Sequence, residues 1–496
     1  MRTQFVSRQA ARSLIAAACA LTCLGAQAAT INVTSRDPAG QGFNDPTPAT
    51  PVGGNLGTTI GQQRMNVYKY VASIWERNLQ SDVTINVSAG WEALTCSSTS
   101  ATLGSASAWN IWHDFPGGKP GTWYPQALAN KLAGTNLSAG QPDDGTGYGN
   151  VDIKTQFNTN LGNPGCLDNT HFYLGLDGKA GNDINFVETL LHELGHGLGF
   201  AVVSVNTSNG YRINAAGTAY VATGGLPSVW EQFMFDDTAN KSWLNMTSAE
   251  RKASAVNNLQ LAWTGANAVA GASMLTHVPI VQSASPAPGG NRNVDYATAS
   301  FGPLPPSSGV LGALAIVAAQ TGEAGPGCDP FNAANSAAVK GKVAIISRGA
   351  CNFSQKVKNA QSAGAVAVLL ANNTTGIQPP GGTDATVTIP AVGISQADGD
   401  ALRAAVTAAI PYGSRSKPGS VTVSLTVDPV RMAGADSKGR PLLYTPSTLA
   451  PGSSVSHWDV SASPNLLMEP NINPDLTTTL TPPYDLTLPV MKDIGW

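Results

Sequence analysis

The sequence is poor in charge. Asp, Glu, Lys and Arg make up only 12% of 496 residues, and the formal net charge is −3. That scarcity excludes a long charged coiled coil. No basic block occurs, which excludes a general electrostatic grip on nucleic acid. Beyond the N-terminal segment there is no apolar run long enough to span a bilayer as a helix. Cysteine is scarce, at 6 residues. Glycine (53 residues) and proline (33) are plentiful. With abundant Ser, Thr and Asn, they indicate strands, turns and long surface loops. The length implies two or more folded units.

Arg2, Arg8 and Arg12 precede an apolar run from Leu14 to Leu24, followed by Ala26-Gln27-Ala28. This is the order of a secretory signal peptide, and the run is too short to span a membrane comfortably. Residues 1–28 are therefore expected to be an export signal. The product is expected to be secreted or periplasmic, with no membrane anchor after cleavage. Cleavage removes Cys19 and Cys23 and leaves Cys96, Cys166, Cys328 and Cys351. An even number in an exported chain fits disulfides, and four cysteines allow three pairings. Position along the chain favours 96 with 166 and 328 with 351. The first link would be worth about 4 kcal/mol in the chain-entropy account.

Thr30 to Val33 reads as a short strand, followed by a Gly/Pro/Asn/Asp-rich loop. Met65, Tyr68, Val71, Ala72, Trp75 and Leu79 recur at helical steps. Val83, Ile85 and Val87 alternate with polar residues, as do Val151, Ile153, Thr155 and Phe157, so both stretches predict strands. The second strand is a candidate for pairing with an extended substrate. A stretch rich in Pro, Ser, Gly and Asn, 287–308, reads as a boundary. Beyond it, buried strands at Val343–Ile346, Val366–Leu370 and Val421–Val427 alternate with helices near Phe353–Ala360 and Asp398–Ala409, as in an α/β module. The alternating apolar residues Leu486, Leu488 and Val490, with Ile494 and Trp496, suggest a docked tail.

The chemistry is concentrated in residues 185–200. Asn185 can cap a helix, with Glu188 completing a capping box. At ~100° per residue, Val187, Leu190, Leu191, Leu194 and Leu198 share one stripe. His192 and His196 fall on roughly the opposite face, four residues apart, where both imidazoles can reach one Zn²⁺. Glu193 can reach a water at an open coordination position, which is the placement of a general base in metal-assisted hydrolysis. Gly199 can end the helix. A zinc hydrolase needs a third ligand. A downstream carboxylate, Glu231, is one candidate.

His192-Glu193-Leu194-Gly195-His196-Gly197-Leu198-Gly199-Phe200 resembles the active-site helix of metzincin metallopeptidases. Most metzincins place their third His where this chain has Val202. The leishmanolysin-like branch places it far downstream, shortly before a methionine turn. Ser456-His457-Trp458 and Leu467-Met468-Glu469-Pro470 resemble those segments. The resemblance implies His457 as third ligand and Met468 as a hydrophobic floor under the metal. Residues 341–353 and 389–392 resemble the protease-associated (PA) domain, which implies a non-catalytic module that binds peptide segments, guides access or adds stability. The implied fold class is α+β, a zincin-like catalytic domain of twisted sheet and active-site helix. It runs over 29–290 and 429–496, interrupted by an α/β PA domain at 291–428. The implied activity is that of a secreted zinc metalloendopeptidase acting on proteins or peptides.

Other features have blander readings. His113, His171 and His277 are expected to be structural. Asp143, Asp144, Gly145, Asn150 and Asp152, or Asp177, Asn182 and Asp183, could bind Ca²⁺, but turn chemistry explains both groups. Two alternatives concern function. One is an exported binding or adhesion protein with an inactive peptidase fold and a peptide-binding PA domain. The other is a hydrolase of non-peptide amides.

Overall fold

A computed structural model describes residues 27–140, 150–287, 290–412, 415–418 and 420–496. Nearly all of the expected signal segment, and Asp143, Asp144 and Gly145, lie outside them. The chain divides into two compact units, one formed by residues up to Leu275 together with Gly434–Trp496, the other by Thr276–Ala433.

The first unit is built on a four-stranded sheet. Strand β1 (Ile31–Ser35) leads to helix α1 (Ile60–Asn78), then to β2 (Ile85–Glu92), the edge strand β3 (Gly104–Ala108), helix α2 (Gln126–Ala133) and β4 (Ile153–Asn158). The sheet order is β1-β2-β4-β3, with β1, β2 and β4 parallel and β3 antiparallel to β4. Helix α1 starts where the Thr59 side chain accepts the Gln62 N–H, and it buries Val67, Tyr68, Val71, Ala72, Ile74 and Trp75. The Tyr68 hydroxyl reaches Thr155 Oγ1 at 2.8 Å, tying the helix to β4. β4 is buried at Ile153, Thr155 and Phe157 and less so at Lys154 and Gln156, as its alternation predicts. Its position differs from the expectation. β4 is flanked on both sides, by β2 and β3, so its ladder groups are used. Among the described residues, the edge of the sheet next to it is β3, which the sequence reading did not identify.

Helix α3 (Phe186–Leu198) lies against β3, β4 and α1. Its first residue, Phe186, is fixed by an aromatic cluster, with ring centroids 4.9 Å from Phe157, 5.1 Å from Phe172 and 5.4 Å from Trp91. Such tilted and edge-to-face contacts fix a helix start more firmly than aliphatic packing does. Cys96 and Cys166 are bonded in this unit, and Cys328 and Cys351 in the second.

The second unit contains strands β5 (His277–Ala284), β6 (Arg292–Asp295), β7 (Ala297–Thr298), β8 (Val310–Ile316), β9 (Val343–Ser347), β10 (Ala367–Ala371), β11 (Ala391–Ile394) and β12 (Thr422–Met432). They form one sheet in the order β6-β5-β12-β8-β9-β10-β11-β7. β8 to β11 are parallel. Both faces of this parallel part are covered. Val343, Ile345 and Leu369 pack into one core with Leu402, while Ala344, Ile346 and Leu370 pack into another with Val357 and Ala360. Burial on two faces explains why β9 and β10 read as unbroken apolar runs. The Pro- and Gly-rich stretch 287–308 falls inside this unit, because β5 pairs with β12 through seven register positions from His277 to Ala284. No helix among the described residues is long and apolar enough to cross a membrane.

Candidate metal centre

Asn185 caps α3, its side chain accepting the Val187 N–H at 3.0 Å. The cap bond therefore goes to the second helical residue rather than to Glu188, and the expected reciprocal box is replaced by this simpler one. The helix ends at Gly199, whose φ of 125° suits glycine. The apolar stripe is buried as expected. The opposite face is buried too: His192 is 6% and Glu193 8% exposed, because both look into a cleft rather than into open solvent.

Three imidazoles meet there. His196 Nε2 lies 3.0 Å from His192 Nε2 and 3.1 Å from His457 Nε2. The other ring nitrogen of each donates to a backbone carbonyl. His192 Nδ1 donates to Leu467 O (2.7 Å), His196 Nδ1 to Phe200 O (2.8 Å) and His457 Nδ1 to Ser453 O (2.9 Å). With the Nδ1 atoms protonated, all three Nε2 lone pairs point at one another. Burial keeps the rings neutral, holding His192 at about 4 and His457 at about 3, with His192 adding to the effect on His457. His196 is held well below its ordinary value by burial and by its two neighbours. Three converging lone pairs repel unless a cation lies among them. Neutral imidazoles oriented by carbonyls are the donor set that holds a divalent metal. Among the described residues, this is the sole cluster of three or more His, Cys, Asp or Glu with such convergence.

Glu231 is not in this cluster. It is fully buried and accepts from Ser204 Oγ (2.5 Å), Ser228 N (2.9 Å) and Arg212 Nε (2.8 Å). Its oxygens serve a buried ion pair, so the alternative third ligand is set aside. Met468 is fully buried against Gly195, one turn of helix between the two histidines. His113 Nε2 bonds Ala215 O, and its ring meets Trp123 edge-on at 4.2 Å. His171 and His277 are exposed. Asp152 accepts from Asn86 N, Gln126 and Asn130, while Asp177 accepts from Tyr173 and Lys179 and Asp183 from His171 N. These carboxylates organise loops, and calcium gains no support from them.

Glu193 lines the same cleft, and burial pushes its carboxyl up to about 8, against the N–H of Ala106 on β3. The cleft has a volume of ≈ 730 Å³, with β3 on one side and segments 451–453 and 470–472 also lining it. Several supporting residues escaped the sequence reading. Ser456 Oγ accepts the Val202 N–H (3.1 Å), joining the chain that leaves α3 to the loop that carries His457. Trp230 Nε1 donates to Val455 O (3.0 Å) in that loop, and Val455 has a φ of 63°, costly for a β-branched residue. Asp485 accepts the Leu467 N–H (2.7 Å). The C-terminal helix Thr487–Ile494 brings Trp496 Nε1 to Leu198 O at 2.8 Å. The tail is docked, as a helix rather than an alternating strand.

Comparison with known proteins finds the PA domain family over residues 310–402, so the second unit contains a PA domain. Aminopeptidase YwaD of Bacillus subtilis (strain 168) is 46% identical over 69 residues, covering 14% of this chain and 15% of that protein. Vacuolar-sorting receptor 5 of Arabidopsis thaliana is 41% identical over 80 residues, covering 16% and 12%. PII-type proteinase of Lacticaseibacillus paracasei is 41% identical over 73 residues, covering 15% and 4%. The chain thus spans a small part of the length of these relatives. Two are named as peptidases and one as a receptor, so such short matches do not select an activity. A solved structure of BSAP, a zinc aminopeptidase from Bacillus subtilis, aligns with a TM-score of 0.21 at 25% identity, over 33% of this chain and 37% of that one. A TM-score of that size says nothing about the fold of the first unit.

Proposed function

We propose that this chain is a secreted zinc metalloendopeptidase of metzincin type, akin to the leishmanolysin-like branch, with its PA domain inserted between the second and third zinc ligands. One observation carries the reading: three Nε2 atoms, on two buried rings and one half-buried ring, converge beside a buried glutamate in a cleft walled by the edge strand β3.

His192, His196 and His457 would hold Zn²⁺ through Nε2, with Leu467, Phe200 and Ser453 fixing the rings. Bound zinc supplies a Lewis acid that acidifies water and polarises a carbonyl. A cation beside it favours the ionised form of Glu193, which would then accept the proton of the attacking water and pass it to the leaving amine. The outer edge of β3 offers backbone groups to an extended peptide, which would hold the scissile bond beside Glu193. Met468 supports the helix from the far side.

The cleft favours cleavage within a chain over removal of a terminal residue. An aminopeptidase must hold the substrate's free ammonium, which calls for a negative group besides the base. Among the described residues lining this cleft, Glu193 is the sole carboxylate. Two disulfides support an exported protein. The test is casein cleavage by the zinc-loaded protein and by Glu193→Ala, with products sized by mass spectrometry. Internal fragments, abolished by chelation and by the substitution, are expected. Release of single N-terminal residues would convert the reading to an aminopeptidase, and an inert zinc-loaded protein would favour the binding or adhesion reading.

A further inference from the structure

We infer that the Cys328–Cys351 disulfide of the second unit is a thiol-exchange site, at which Cys351 takes up a thiol as a mixed disulfide and Cys328 departs as a thiolate held by the Lys356 ammonium. The inference is independent of the peptidase reading above.

Lys356 is fully buried, on the helix Phe353–Ser362. Its Nζ donates to Pro326 O at 2.6 Å and lies 3.5 Å from Cys328 Sγ. Burial pulls the ammonium below its ordinary value, while the charge of Glu323 opposes that. A buried ammonium needs strong acceptors, and a disulfide sulfur is a weak one. Opening the S–S bond turns Cys328 Sγ into a full negative charge beside the ammonium, the setting that favours a thiolate. The Gly349 carbonyl oxygen, 4.0 Å from the same sulfur, opposes this with a smaller, partial charge at a greater distance.

The two sulfurs differ in access. Cys328 is 4% exposed, whereas Cys351 is half-buried and lines a cleft with Gly349, Phe353 and Thr383. An incoming thiolate therefore bonds to Cys351 Sγ. The S–S bond breaks, and its electron pair stays on Cys328 Sγ beside Lys356. A second thiolate, attacking the added sulfur, releases a small-molecule disulfide and leaves Cys351 reduced, so two thiols are oxidised as one protein disulfide is reduced. Cys328 is held in place when the bond opens, because the same helix grips its segment. Gln355 Nε2 donates to Cys328 O (2.6 Å) and Asn359 Nδ2 to Gly327 O (3.0 Å). Cys328 thus remains poised to attack back and re-form the bond. The pair in the first unit differs, since Cys166 Sγ meets the neutral amide of Asn158, at 3.9 Å.

In the test, the full chain is equilibrated with buffers of reduced and oxidised glutathione, quenched with acid, alkylated and mapped by mass spectrometry. The Cys328–Cys351 pair is expected to open at a lower ratio of reduced to oxidised glutathione than Cys96–Cys166. A short exposure should leave glutathione on Cys351 and a free, alkylated Cys328. In Lys356→Met the equilibrium constant for opening should fall about 10-fold, with Cys96–Cys166 unmoved. Cys351→Ser keeps Lys356 and reports Cys328 directly: the ultraviolet absorbance of its thiolate should appear with a midpoint below about pH 8.5, the ordinary thiol value. A 328–351 pair that opens no sooner than 96–166, glutathione found on Cys328, or an unshifted constant in a folded Lys356→Met would overturn the inference. So would a Cys328 midpoint at or above about pH 8.5 in Cys351→Ser, the measurement that decides if Lys356→Met does not fold.

Discussion

The sulfur of Met468 lies where a side chain on Gly195 would begin. A Cβ built on Gly195 would come within 2.8 Å of Sδ and 3.1 Å of Cε. Gly195 stands between His192 and His196 in α3, and the residue before Met468 provides the carbonyl that orients His192. One close contact therefore locks the helix to the distant segment that completes the site.

Gly195→Ala should break that contact. Alanine favours helix by about 1 kcal/mol over glycine, yet overpacking a filled core costs about 1–3 kcal/mol. The contact distance is below any ordinary carbon–sulfur approach, so a net loss of about 1 kcal/mol is expected. Thermal melts would show it, and in a Met468→Ala background, where the clash is gone, Gly195→Ala should cost less than it does in the wild type. A melting temperature unchanged or raised in Gly195→Ala would refute this.

The roles of His457 and Glu231 separate by metal analysis. His457→Ala should lose most bound zinc and all activity while staying folded, since the other two imidazoles remain. Glu231→Gln should keep one zinc per chain but lose about 3 kcal/mol or more of stability, because Arg212 is left beside a neutral partner. Chelation should lower the melting temperature of the wild type and hardly move that of His457→Ala. Full zinc content in His457→Ala would sink the ligand assignment.

The buried carboxyls should make stability fall as pH rises above 5, while the three buried histidines, which gain protons only on unfolding, oppose that fall until about pH 7. Burial pushes Glu469 up to about 8 from an ordinary 4.5, against the N–H of Leu466 and the amide of Asn473. Between those values the folded protein keeps the proton and the unfolded chain releases it. Unfolding thus becomes easier with each step up in pH, by at most about 1.4 kcal/mol per unit from this group. Glu188, raised to about 7, and Asp152, raised to about 6, act in the same direction. Denaturant titrations at pH 5, 6, 7 and 8 should show the stability of Glu469→Gln gaining on that of the wild type at each step up in pH. Parallel curves would mean that Glu469 is ionised in the native state.

Asp485 ties the C-terminal segment to the site by accepting the Leu467 N–H. Asp485→Ala should cost about 1–3 kcal/mol through an orphaned buried donor and weaken zinc binding, because the Leu467 carbonyl would no longer be held toward His192. Removing residues 485–496 should do more damage than the point change. Zinc affinity and melting temperature equal to wild type in Asp485→Ala would refute the link.

Much of this was legible in the sequence, but unevenly. The α3 pattern carries a helical stripe, a cap residue and two histidines at a fixed spacing, so local rules suffice. His457 had no local signature, and only the likeness of Ser456-His457-Trp458 and the Met468 segment to a known family pointed to it. The groups that orient the rings are carbonyls of Leu467, Phe200 and Ser453, and a carbonyl looks the same in every residue type. The alternation of Ile153, Thr155 and Phe157 identifies a strand without telling whether it is central or at an edge. That is why β3, small and plain in sequence, was overlooked as the free edge. Leu486, Val490 and Ile494 fit a helix as well as Leu486, Leu488 and Val490 fit a strand, and packing decided between them. Loop composition placed a boundary near 291, whereas β5 enters the second unit earlier because pairing with β12 outweighs local polarity.

The three histidines also impose an order in time. His457 follows His196 by 261 residues. At about 5–20 residues per second, synthesis needs roughly 15–50 s to pass from one to the other. During that interval the nascent chain holds two imidazoles of the set and a glutamate with no complete partner. The cluster of three imidazoles is assembled last, after the intervening unit has been made, so under the proposed reading a chain still being synthesised up to that point would lack a complete metal site.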